Sequence, residues 1–71
     1  MAPDALETAR SRYTAAYEAY QQASKRVAEK LSSGLGPSAE DIEHEVQATE
    51  RLAVARRDLL DAMTEVFPPR R

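Results

Sequence analysis

Lys30-Leu31-Ser32-Ser33-Gly34-Leu35-Gly36-Pro37-Ser38-Ala39-Glu40-Asp41 holds both glycines of this chain and the one proline between Pro3 and Pro68. Gly34 can take the left-handed conformation that ends a helix, and Leu35 is then expected to fold back onto the last turn. Pro37 is expected to hold the residue before it extended. Ser38 is a good N-cap for a second helix, and Glu40, Asp41 and Glu43 make an acidic first turn matched to the helix dipole. Upstream, Asp4 followed by Glu7 has the spacing of a capping box. Downstream, Pro68-Pro69 stops whatever precedes it. The sequence therefore predicts a helix over about 4–33, a turn over 34–37 and a helix over about 38–67. Residues 1–71 are expected to form a single domain, with 68–71 as a flexible basic tail.

The two segments carry matching periodicities. Ala9, Ala16 and Ala23 recur every seven residues, as do Ala48, Ala55 and Ala62. Folded back at the turn, Ala9 faces Ala62, Ala16 faces Ala55 and Ala23 faces Ala48, each pair of numbers totalling 71. Lys30 and Asp41 continue that series next to the turn, where an ion pair would fix the register and add little net stability. A row of larger residues runs beside it. Leu6, Tyr13, Tyr20 and Val27 in the first segment face Val66, Leu59, Leu52 and the polar exception Glu45 in the second. Seven-residue spacing is a helical period, and small side chains at matched heights let two helix backbones approach closely. We expect an all-α fold, an antiparallel two-helix hairpin whose internal seam is Ala9, Ala16, Ala23, Ala48, Ala55 and Ala62.

Size and composition say what such a hairpin lacks. Seventy-one residues are at the limit for a single core, and two helices cannot enclose one. With no cysteine, neither a disulfide nor a thiolate metal site is open to it. Stabilisation is expected from a partner, and a second copy making a four-helix bundle is the simplest one. The N-terminal segment has no basic stretch followed by an apolar core, and no apolar run approaches a membrane span, so a cytoplasmic location is expected. The net charge is −2 and the pI near 5.3, with acidic and basic residues interspersed. That balance speaks against nucleic acid, and the lack of a basic polar face speaks against a membrane surface.

The second segment has more apolar surface than the first can cover. Ile42, Val46, Ala53, Leu60, Met63 and Phe67 widen its apolar arc well beyond the row facing its neighbour. Arg56 falls inside this arc, between Thr49 and Met63, where it can extend its head to the surface or pair with a carboxylate such as Glu18. The expected partner-binding residues are Ile42, Val46, Arg56, Leu60, Met63 and Phe67, with Tyr17 from the first segment.

Other candidate chemistry has plainer explanations. Tyr13, Tyr17 and Tyr20 share one helical face and suit either stacking or partner contact. Rings in the core with hydroxyls at the surface are the preferred explanation, ahead of partner contact and well ahead of base stacking. Asp41-x-x-His44 has the spacing of a carboxylate-histidine metal element, but His44 falls on the polar side, and an acidic first turn accounts for the cluster. The basic residues alternate with acids, several at helical pairing distance, such as Glu7 with Arg10 and Arg57 with Asp61. There is no cysteine nucleophile, no histidine-carboxylate-serine set and no phosphate-binding loop. We expect no enzyme and no cofactor.

In hairpin length, glycine-containing turn and alanine-rich second helix, the chain is similar to the small hairpin co-chaperones of type III secretion needle subunits. That likeness implies an adaptor for a helical partner. In plain architecture it also resembles the plasmid copy-number Rop proteins, whose dimer is a four-helix bundle that binds paired RNA. That likeness implies a nucleic-acid-binding regulatory dimer. Neither assigns a role to a particular residue. The leading expectation is a non-enzymatic protein–protein interaction module that associates with itself or with another helical protein.

Overall fold

A computed structural model describes residues 4–67, apart from the Asp4 side chain. It contains two helices, α1 (Asp4–Ser33) and α2 (Ala39–Val66), packed antiparallel in an all-α hairpin about 51 × 25 × 15 Å. The capping role of the Asp4 side chain and the tail at 68–71 lie outside the described residues.

The turn differs from its sequence reading in two respects. Gly34 (φ 81°) and Gly36 (φ 75°) both lie in the left-handed region, so the residue before Pro37 is not ordinary extended chain. The Gly36 N–H donates to the Lys30 carbonyl at 3.1 Å and the Gly34 N–H to the Leu31 carbonyl at 3.3 Å, which satisfies two carbonyls at the helix end. Leu35 does not fold back. It is 84% exposed, because the second left-handed residue turns the chain toward α2 and leaves that side chain outside the reversal. A Cβ at either glycine would meet no atom within 4 Å, so only backbone strain opposes one there. Gly36→Ala should therefore cost about 1–2 kcal/mol, read from urea unfolding.

At the start of α2 the cap is complete. Ser38 Oγ accepts from the Asp41 N–H at 3.1 Å, and Asp41 Oδ2 accepts from the Ser38 N–H at 3.1 Å. Ser38→Ala should cost about 1 kcal/mol. At the other end the Phe67 N–H donates to the Met63 carbonyl at 2.6 Å.

Burial follows two interleaved rows on each helix. Ala9, Ala48, Ala55 and Asp41 are buried, while Ala16, Ala23, Ala62 and Lys30 are half-buried. In the row of larger residues Leu6, Tyr13, Tyr20, Val27, Glu45, Leu52 and Leu59 are half-buried, and Val66 at the open end is exposed. Among the described residues no large side chain is fully buried, and the buried apolar residues are three alanines. The hairpin is a ribbon without an interior. Among the described residues, the large apolar side chains of the packed rows meet the neighbouring helix on one side and solvent on the other, while Leu35 in the turn is almost wholly exposed.

Candidate functional site: one apolar face and one polar face

The two rows divide the ribbon into unlike faces. An open groove of about 240 Å³ runs along the alanine rows on the half nearer the turn. Ala23 and Ala48 form its floor, and Arg26, His44, Gln47 and Arg51 stand around it. No member of the larger row lines this groove, so that row belongs to the opposite face.

On α2, the residues flanking the larger row are Ile42, Val46, Thr49, Ala53, Arg56, Leu60, Met63 and Phe67, spaced alternately four and three residues apart. Such spacing makes a straight stripe along a helix, of the kind that meets another helix. All eight are exposed, with Ile42, Val46, Leu60, Met63 and Phe67 between 41% and 67% accessible. Thr49 is polar in name only at this position. Its hydroxyl donates to the Glu45 carbonyl at 2.8 Å, one turn back, so the hydrogen-bonding need is met within α2. On α1, the matching positions are mostly polar or small, with Tyr17 (42% exposed) and Leu31 (62%) the large ones. The Tyr17 ring lies 6.1 Å from that of half-buried Tyr13, tilted by 35°, which joins the exposed tyrosine to the larger row.

Each partner-binding candidate named from sequence is thus exposed, and the α2 members share one stripe with Thr49 and Ala53. Val54 was not named and is 50% exposed, but it lies off the stripe on the outer side of α2. Arg56 is exposed and makes no ion pair, with Glu18 or any other described residue.

Charge is arranged differently from the sequence expectation. Among the described residues the one ion pair is Lys30 with Asp41, and neither Glu7 with Arg10 nor Arg57 with Asp61 closes to pairing distance. Solvated side chains on an exposed helix gain little by pairing, so spacing alone does not bring them together. Asp41, by contrast, is buried and serves three partners. Its Oδ2 accepts from Lys30 Nζ, from the Ser38 N–H and from Ser38 Oγ. The Lys30 ammonium, then the Ser38 N–H, holds its carboxyl down at about pKa 2, against an ordinary 3.8. This pair does more than the register-marking surface bridge expected from sequence, because the same carboxylate closes the α2 cap.

A depressed folded-state pKa gives the sign of the acid response. The ionised Asp41 contributes its stabilisation in full above about pH 4, and loses it as pH falls through about 2. The thermal midpoint of the wild type should therefore drop across that window. Asp41→Asn should start lower and show a flatter decline; equal slopes would assign the acid response to other carboxylates.

His44 is exposed on the groove side, and the Asp41 carboxylate it was considered with is committed to Lys30 and Ser38. Among the described residues no three acidic or histidine side chains converge as metal ligands would. No helix of the described residues is long and apolar enough to cross a membrane. Sequence reading missed the groove, because Arg26 and Arg51 stand 25 residues apart and only the antiparallel packing puts them on one face. Compared with protein-family models, with curated proteins and with solved structures, the chain matched none.

Proposed function

We propose that this chain is a non-enzymatic interaction module of the cytoplasm, a helical hairpin that works by packing its apolar face against a second hairpin in a four-helix bundle. The observation that carries this reading is the absence of any fully buried large side chain among the described residues, together with a continuous exposed stripe on α2. Hydrophobic burial is the dominant favourable term in folding, and here it is half made. Stacking two ribbons face to face completes it for Tyr13, Tyr20, Leu52, Leu59 and the stripe at once. An adaptor role for another helical protein uses the same face.

Sedimentation equilibrium tests the reading directly. The purified chain should be dimeric or larger at micromolar concentration, and its melting temperature should rise with concentration because folding and association are linked. A stably folded monomer overturns it. In an adaptor the lone chain would be poorly helical and gain helix only with its partner.

The polar face supports a second reading, a nucleic-acid-binding regulatory dimer. Arg26, His44 and Arg51 stand around a groove whose acidic lining residue, Asp41, is already paired. Retardation of structured RNA at low salt, weakening steeply as salt rises, is its expected signature. No retardation at low salt ends it.

A further inference from the structure

We propose that the occupant of the α2 stripe is α2 of a second copy, lying antiparallel on it about a two-fold axis between Val54 and Ala55. The proposal rests on the self-association reading above and adds the pairing.

The stripe has a symmetric spacing. Its intervals run four, three, four, three, four, three, four from Ile42 to Phe67, the same in either direction. An antiparallel copy therefore meets it in one register along its whole length. In that register Ile42 meets Phe67 of the second copy, Val46 meets Met63, Thr49 meets Leu60 and Ala53 meets Arg56. Sizes are complementary at each level, and polarity is matched at the outer ones. The two outer levels on each side are wholly apolar. Thr49 turns its hydroxyl back onto the Glu45 carbonyl, which frees its methyl for Leu60. Ala53 is the smallest residue of the stripe and faces its one long charged chain, leaving Arg56 room to lie along the interface and carry its guanidinium to the rim.

Charge gives independent support. Glu50 and Arg57 both belong to the next row outward from the stripe. In the proposed register Glu50 stands within about 3 Å, along the helix axis, of the level of Arg57 in the second copy, at 1.5 Å per residue. The two-fold axis makes this complementary pair twice. Both residues lack an ion-pair partner within the described hairpin. On α1, the hairpin register brings Tyr17 to the level of the same axis, where the exposed tyrosine meets its own copy.

The competing arrangement has the two-fold axis parallel to the helices, with α2 covering α1 of the second copy. At the hairpin's own levels it brings Phe67 nearest Glu7, Met63 between Glu7 and Arg10, and Leu60 between Arg10 and Thr14. Three of the largest apolar side chains of the stripe would then face polar groups, which disfavours it.

Single spin labels at Val54, Gln47 and Glu40 distinguish the two. These exposed positions lie on one row of α2 away from the stripe, so their lateral separation in a dimer is alike. In the proposed register the axial offset between the two labels is about 2 Å at Val54, about 22 Å at Gln47 and about 44 Å at Glu40, at 1.5 Å per residue. Pulsed dipolar distances should lengthen steeply in that order. Equal distances at all three positions in a dimeric protein overturn the pairing and leave self-association standing. A monomer in sedimentation overturns both. As a second measurement, Glu50→Arg should weaken the dimer roughly 2- to 30-fold, and Glu50→Arg combined with Arg57→Glu should restore it. No recovery in the double variant also counts against the register.

Discussion

Replacing Leu60 with aspartate is expected to return the associated protein to monomers. Leu60 is half exposed in the hairpin, and a two-fold interface covers that exposed half in both copies. Losing it twice, and placing a carboxylate in apolar surroundings each time, should cost about 3 kcal/mol or more of association energy, on the order of a 10²-fold rise in dimer Kd. Sedimentation across a concentration series measures the change. Val54→Asp is the matched control. Val54 is as exposed as Leu60, 50% against 49%, and sits on the same helix, but it lies off the stripe. An equal loss of association in the two variants would mean that general hydrophobicity of α2, not the stripe, holds the copies together. Phe67→Asp should behave like Leu60→Asp, because it caps the same stripe at its far end.

Ala55→Leu should destabilise the hairpin itself. Ala55 is 7% exposed, in the middle of the small-residue row, so three added carbons have to displace their neighbours. Overpacking of this kind costs roughly 1–3 kcal/mol. Urea unfolding at fixed protein concentration reads it, since folding and association are linked. Ala15→Leu, at an exposed position of α1, should stay within about 0.5 kcal/mol of wild type. Were the two substitutions equivalent, close approach of the helices along the alanine row would be the wrong description of how the hairpin closes.

Much of this protein was legible without coordinates because its elements are long and locally specified. The helix ends are written in Gly34, Ser38 and Asp41, each of which acts through its own backbone or a residue three positions away. Seven-residue periodicity separates inward from outward positions, and the described burial follows it closely. Exposure of Ile42, Val46, Leu60, Met63 and Phe67 could be read as surplus apolar arc before any packing was known.

Three things needed the tertiary structure, each because it depends on groups distant in the chain or on a choice between backbone wells of similar energy. Leu35 points to solvent because both glycines of the turn take positive φ, an alternative the sequence permits without selecting. Asp41 is one carboxylate serving both the α2 cap and Lys30, and its low pKa arises where the two helices meet. The groove between Arg26 and Arg51 exists only once the alanine rows have closed. Local chemistry and period determined two helices, their ends and which residues lie in or out. Only packing decided which outward residues share a face, since a helix period places residues around one axis and says nothing of the second.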